Sequence, residues 1–179
     1  MRIVGGTHKG RRIKIPKKGV RPTKGIVRGA IFNIIGSHIQ NADILDIFAG
    51  SGALGLEALS RGAMSCVFIE KKSKVLRENI KNLYPRAQTI HIISSDFRLG
   101  IKRVVNKQFD IIFVDPPYHK QYIQKTLALI MKYRLLSNNG VVIVEHHSDE
   151  ALKVPRSLSL EKKKKYGDTT VSFIVNTRV

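Results

Sequence analysis

The stretch Phe109-Asp110-Ile111-Ile112-Phe113-Val114-Asp115-Pro116-Pro117-Tyr118 decides how the rest of the chain is read. Its first six residues are almost unbroken apolar, rich in β-branched and aromatic side chains. That is the pattern of a strand buried on both faces. Two consecutive prolines cannot continue it, because each lacks a backbone N–H and fixes φ. The chain therefore turns at a strand's carboxyl end, the edge where open α/β sheets place their ligands. The turn carries a carboxylate, a stiff backbone whose carbonyls face outward, and an aromatic ring. A carboxylate and a carbonyl accept hydrogen bonds from an exocyclic amine, and a ring stacks on a base. A plain proline turn initiated by Asp is the alternative for the tetrapeptide alone.

Upstream, Ile44-Leu45-Asp46-Ile47-Phe48 reads as another strand. Gly50, Gly52 and Gly55 follow it in the spacing G-x-G-x-x-G, leading into a helical run through Leu59. A nucleotide-type fingerprint requires that strand-to-helix context. Gly50 and Gly52 would let backbone N–H groups approach a ligand at the helix's amino end. The segment Cys66 to Glu70 is a second strand ending in an acid, placed to bind ribose hydroxyls. A helix is expected over Lys71 to Leu83, then a third strand over Thr89 to Ile93. Asp96 and Phe97 come next; Asp96 can accept from an adenine amine, with Phe97 against the ring, and can equally cap a helix from Phe97 to Val105.

Downstream, His119 to Tyr133 has helical spacing, Asn138-Asn139-Gly140 reads as a turn, and Val141 to Glu145 as a fifth strand. His146 and His147 are adjacent and so do not share a face, which argues against a metal site. Ser157 to Tyr166 and Thr169 to Thr177 alternate around Gly167-Asp168, as a closing antiparallel hairpin does. Lys162 to Lys165 is a charge run, either a phosphate contact or a solvated edge that resists strand pairing.

The 179 residues fit one domain with a short appendage, carrying a net charge of +19. A polyanionic partner, nucleic acid above all, is the simplest counterpart to such a charge. A single cysteine, Cys66, excludes a disulfide framework. No run is long and apolar enough to span a bilayer and no signal-peptide pattern opens the chain, so a cytoplasmic, membrane-free protein is expected. From Met1 to Ala42 there is no acidic residue. Arg2-Ile3-Val4 and Arg12-Ile13-Lys14-Ile15 alternate around glycines, predicting a short hairpin or extended arm. Its Arg2, Lys9, Arg11, Arg12 and Lys14 would grip phosphates. Thr23 is placed to cap a helix that starts near Lys24 and stops at Gly36.

Three function classes meet these patterns: an enzyme using S-adenosylmethionine, a dinucleotide-binding oxidoreductase, and a non-catalytic RNA-binding module. The oxidoreductase has no use for Asp115-Pro116-Pro117-Tyr118 or a basic arm. The RNA module leaves the acids at strand ends unexplained.

Leu45 to Ala63, together with Asp115-Pro116-Pro117-Tyr118, strongly resembles the RsmD family, bacterial 16S ribosomal RNA guanine-N2 methyltransferases. The opening Arg2-Ile3-Val4-Gly5-Gly6, the Gly10-Arg11-Arg12 turn, and Arg21-Pro22-Thr23 before Val27-Arg28 and Phe32-Asn33 resemble that family's N-terminal region. The tetrapeptide alone is shared with DNA adenine methyltransferases.

The resemblance implies a Rossmann-like class I methyltransferase. It would have a seven-stranded, mostly parallel sheet with an antiparallel last strand, a basic N-terminal hairpin over residues 1–20, and the methyltransferase domain over 21–179. It implies an S-adenosylmethionine site drawn from Asp46, Phe48, Ala49, Gly50, Ser51, Gly52, Gly55, Glu70, Lys71, Asp96 and Phe97. Within that set, Gly50 and Gly52 with Asp46 nearby hold the methionine portion, Glu70 the ribose, and Asp96 with Phe97 the adenine. Arg21 and Thr23 would close over the carboxylate end. Asp115, Pro116, Pro117 and Tyr118 would act on the guanine. The expected partner is 16S ribosomal RNA, in a small subunit or its assembly intermediate, with the enzyme a monomer. The chain departs from the family at Gly25, Ile26 and Gly29, on the helix that covers the cofactor.

Overall fold

The computed structural model describes residues 1–16, 25–118 and 120–177. The expected helix cap Thr23, the proposed cofactor contact Arg21 and the boundary at residue 20 lie outside them, as does His119. The elements run α1 (Gly25–Ile35), β1 (Asp43–Ile47), α2 (Ala53–Ser60), β2 (Ser65–Ile69), α3 (Lys74–Leu83), β3 (Ile90–Ile93), α4 (Phe97–Lys102), β4 (Phe109–Val114), α5 (Tyr122–Lys132), β5 (Leu136–His147), β6 (Leu158–Tyr166) and β7 (Thr169–Asn176). A short 3-10 turn, Gly36–Ile39, follows α1.

All seven strands form one sheet in the order β3-β2-β1-β4-β5-β7-β6. β3, β2, β1, β4 and β5 run parallel to one another, and β7 lies antiparallel between β5 and β6. The alternation of strand side chains sends successive residues to opposite faces. Ile111 and Phe113 of β4 join Ile44 and Phe68 in a core under α1, α2 and α3. Ile112 and Val114 join Leu45, Ile47 and Ile69 in a second core under α4 and α5. A sheet covered on both faces explains why β1 and β4 read as continuous apolar runs.

Several sequence readings change. Asn138, Asn139 and Gly140 are not a turn before β5 but part of it. Phe109 pairs with Leu136 and Ile111 with Val141, so β5 carries three extra residues against β4 at this point. The Asn176 amide holds the bulge by donating to the carbonyls of Ser137 (2.9 Å) and Asn138 (3.3 Å). Helix α5 starts at Tyr122, three residues later than the periodicity suggested, as α3 does at Lys74, and α4 ends at Lys102, three residues short of Val105.

The N-terminal segment is a hairpin and not a free arm. Arg2 and Arg12 form an antiparallel bridge, and Ile3 and Ile13 are buried in the first core. Buried Glu57 of α2 accepts the backbone N–H groups of Val4 (2.8 Å) and Gly5 (2.7 Å) and the Arg61 guanidinium (2.8 Å). Arg28 of α1, also buried, lies 3.5 Å from Glu57 and donates to the Arg2 carbonyl. Desolvation lowers the Arg28 pKa, and the Glu57 charge opposes that shift. At Gly6, with φ +74°, a side chain would overlap the Ser60 carbonyl, so the hairpin backbone lies directly on the end of α2.

Candidate active site

The strand order reverses between β1 and β4, and a cavity of about 530 Å³ opens above that point at the carboxyl edge of the sheet. Each parallel strand end contributes: Asp46 and Phe48 to Ser51 from β1, Glu70 to Lys72 from β2, Ser95 to Phe97 from β3, Asp115 to Tyr118 from β4. Glu145 near the end of β5 completes the wall.

Asp46 is fully buried and accepts the N–H of Gly55 at 2.9 Å. Burial pushes its carboxyl up to about 7; the Gly55 hydrogen bond pulls the other way, and the charge of Glu70 adds to the rise. Glu70 accepts from the N–H groups of Gly50 (2.8 Å) and Lys72 (2.7 Å), which fixes its carboxylate at the end of β2. Asp96 caps α4 by accepting from the Arg98 N–H (3.0 Å), and pairs with the Arg98 guanidinium at 2.8 Å. Those hydrogen bonds from the Arg98 side chain, chiefly, hold its carboxyl below the usual range. Both sequence readings of Asp96 are therefore compatible: it caps α4 and lines the cavity.

The glycines serve differently from the expectation. The N–H of Gly50 goes to Glu70 and that of Gly52 to the Ala49 carbonyl (2.7 Å), so protein acceptors already engage both. Gly52, at φ +82°, lets the loop pass against Leu76, and a Cβ at Gly55 would run into the Phe68 ring. Neither Gly52 nor Gly55 lines the cavity. The first residues of α2, Ala53 and Leu54, do.

Phe48 sits in the left-handed region (φ +66°), strained for a residue with a side chain. Its ring packs 4.8 Å from Phe97 and stacks 5.9 Å from Tyr122. On the other wall, the Tyr118 hydroxyl lies 3.2 Å from Thr169 Oγ1 and 3.4 Å from Glu145 Oε1. The sequence reading missed Tyr122, Lys72 and Glu145. Glu145 could have been found by the rule that identified Glu70, an acid at the end of a parallel strand.

The predicted RNA contacts lie elsewhere. Arg11 donates to the Asn82 carbonyl and His8 packs 4.5 Å from Tyr84, both at the carboxyl end of α3. Helix α3 begins near the sheet's carboxyl edge and runs away from it for about 15 Å. Lys14 lies closer: buried Asn79 bridges its backbone to the Ser51 carbonyl.

The cavity gathers Asp46, Glu70, Asp96, Asp115 and Glu145, five of the chain's thirteen acids, in a protein of net charge +19. An acid wall with its glycine N–H groups already engaged suits a cationic ligand and repels a pyrophosphate. S-adenosylmethionine, with its sulfonium, ammonium and ribose hydroxyls, fits this set of acceptors; a dinucleotide does not.

Fold and site together define a class I methyltransferase that uses S-adenosylmethionine. The sequence matches the family described as Conserved hypothetical protein 95 over residues 1–175. It is 36% identical to the ribosomal RNA small subunit methyltransferase D of Buchnera aphidicola, covering 90% of this chain and 86% of that protein. It is also 36% identical to the protein of that name in Escherichia coli, covering 93% and 85%. A solved Escherichia coli structure described as that of a methyltransferase, yhhF, superimposes with a TM-score of 0.86 at 32% identity, covering 98% and 97% of the two chains. The chain belongs to this family, the RsmD methyltransferases.

Proposed function

We propose that this protein methylates the exocyclic N2 amine of a specific guanine in 16S ribosomal RNA. The observation that carries this reading is that Asp115-Pro116-Pro117-Tyr118 shares one cavity with the acids at the ends of β1, β2 and β3. The names of its relatives in Buchnera and Escherichia coli support the substrate class.

S-adenosylmethionine supplies a methyl group on a positively charged sulfur, which the amine nitrogen takes as the carbon–sulfur bond breaks and the neutral thioether leaves. Glu70 holds the ribose hydroxyls, Asp96 and Phe97 the adenine, and Asp46 the side nearest the ammonium. Phe48, Ala49, Ser51 and Lys71 shape the remaining wall, and Arg21 and Thr23 are assigned to the cofactor's carboxylate end.

A guanine N2 lone pair is delocalised into the ring, so the protein must position the nitrogen and favour charge on it. The Asp115 carboxylate and the Pro116 carbonyl accept hydrogen bonds from its two N–H groups, and the proline pair fixes the backbone that carries both acceptors. This is electrostatic preorganisation. Transfer makes the nitrogen acidic, so its proton is lost afterwards, and no strong base is required first. Guanine presents N1–H beside the amine, so one carboxylate meets both; adenine presents a bare N1, which a carboxylate repels. Tyr118 stacks on the extruded base, the usual way unpaired RNA bases are read.

Residues 1–20 form a basic element that contacts phosphates, and 21–179 the catalytic domain. The substrate is a small ribosomal subunit or an assembly intermediate, and the enzyme acts in the cytoplasm as a monomer.

The test is methyl transfer from labelled S-adenosylmethionine to unmodified small subunits, naked 16S RNA and duplex DNA, with digestion to nucleosides. N2-methylguanosine from RNA or subunits is expected. N6-methyladenine from DNA would overturn the substrate assignment while leaving the methyltransferase class.

A further inference from the structure

A second cavity, of about 560 Å³, lies behind the catalytic turn. Pro116, Pro117 and Tyr122 line it as well as the active-site cavity, so the two meet at this shared wall. Its other walls come from the start of α5 and from the segment after β5, where Gln121, Lys125, Glu150 and Lys153 lie. We infer that this cavity is a subsite for the nucleotide next to the target guanine in the RNA strand. The inference rests on the reading above, that the target is an extruded guanine.

Position comes first. A base extruded onto Asp115 carries its two neighbours on adjoining phosphodiesters, and enzymes that act on extruded bases set their sequence preference through those neighbours. A cavity sharing a wall with the catalytic turn is where one neighbour has to go. Size agrees: the volume lies within the roughly 300–1,000 Å³ of small-ligand sites.

Chemistry agrees as well. Ile123, Pro117 and Tyr122 give apolar and aromatic surface against which a base can pack. Lys125 and Lys153, both exposed, supply charge for the phosphates on either side. Gln121 offers an amide with both donor and acceptor, and makes no side-chain hydrogen bond among the described residues. It sits at φ +52°, a left-handed conformation in which a side chain is uncommon, directly at the start of α5. The cavity is also held open by its own bonds. Gln124 Nε2 donates to the Ala151 carbonyl at 3.1 Å, tying α5 to the segment after β5. Glu150 Oε2 accepts the His147 N–H at 3.1 Å, which anchors that segment to the end of β5.

The test uses RNA fragments centred on the guanine mapped as methylated, either intact or with one nucleotide made abasic. Binding is measured in the presence of S-adenosylhomocysteine. For the native enzyme, removing the base on one side only should weaken binding about tenfold. In Ala151→Trp, which fills the cavity, the intact fragment should bind correspondingly less well, and the abasic change should then cost less than about twofold. In the double variant Lys125→Ala/Lys153→Ala, intact and abasic fragments should weaken by the same factor, because both keep the phosphates. Affinity for S-adenosylmethionine should be unchanged in both variants. If neither neighbouring base matters to the native enzyme, or Ala151→Trp keeps its sensitivity, the subsite is overturned. If removing the target guanine base itself has no effect, the proposed function has failed, and this inference with it.

Discussion

The two halves of the carboxyl edge are prepared in different ways. On the β1–β3 side, every cavity acid is held by the protein's own donors. Asp46 takes the Gly55 N–H, Glu70 the N–H groups of Gly50 and Lys72, and Asp96 those of Arg98. On the β4–β5 side the acceptors stand on a turn stiffened by Pro116 and Pro117, and the ring of Tyr118 is anchored through Thr169 and Glu145. The first half is held by bonds to backbone and guanidinium donors; the second adds to its bonds a backbone with few conformations.

That contrast makes two substitutions dissociable. Asp115→Ala should cut the transfer rate by at least about a hundredfold, the order seen when one preorganised polar group is removed from a transition state. Equilibrium binding of S-adenosylmethionine to the same variant should stay within about twofold. A parallel loss of both would mean the halves are not separate. Glu70→Ala should do the reverse, weakening cofactor affinity by about ten- to a hundredfold, or roughly 1–3 kcal/mol. Transfer should recover when the cofactor is raised to saturation. A rate that stays low at saturation would show that Glu70 also holds the Gly50 turn in its working shape.

The sequence displayed much of this. β1 and β4 could be read because a strand covered on both faces has to be apolar throughout. Glu70, Asp96 and Asp115 stood out as polar residues where such runs end. Tertiary pairing decided what was missed. Asn138-Asn139-Gly140 has the local chemistry of a turn, but pairing with β4 and the Asn176 amide absorbs it into β5. Arg28 and Glu57 look like solvated helix charges, and only the fold brings them together in the core under the hairpin. The glycine loop was recognised by spacing. That Glu70 and Ala49 take its N–H groups depends on where β2 ends relative to β1, which spacing does not state.

Asp46 gives a pH test of the cofactor half. Its carboxyl is raised to about 7, whereas an unfolded one titrates near 4. Between these values the folded chain binds more protons than the unfolded chain, so the contribution is fully present below about pH 4 and lost as pH rises through about 7. Asn cannot ionise and so escapes that loss. At pH 8 the cofactor-free Asp46→Asn variant should exceed the native chain in stability by about 2 kcal/mol. That is roughly half the full value of the shift, because an amide is a poorer acceptor for the Gly55 N–H. At pH 4 the gap should close or reverse. Urea unfolding at the two pH values measures it, and equal differences at both would mean that Asp46 does not titrate in this range.

The smallest effects, and the ones that extend the comparison to RNA, concern the basic surfaces flanking the two halves. The hairpin turn with Arg11 and Arg12 lies on the cofactor side, at the far end of α3. The lysines of β6 lie on the substrate side. Lys165 pairs in register with Thr170, one residue from Thr169 at the Tyr118 hydroxyl, so the run starts at the rim of the site and descends along the sheet edge. β6 is separated from β4 by β5 and β7, a lateral distance of about 14 Å. A strand of RNA entering at Asp115 can reach that edge within a few nucleotides, whereas the hairpin turn requires a folded RNA that wraps the molecule. Lys164→Glu/Lys165→Glu should therefore weaken binding of short unpaired fragments and of folded 16S RNA alike. Arg11→Glu/Arg12→Glu should weaken only the folded RNA. Each pair should make the logarithmic salt dependence shallower by roughly 1.5 to 2, the value for two lost phosphate contacts. Cofactor affinity should not move in either case. A hairpin variant with an unchanged salt slope on folded RNA would leave β6 as the basic surface that meets the substrate, and the positive charge of the hairpin would then need another partner.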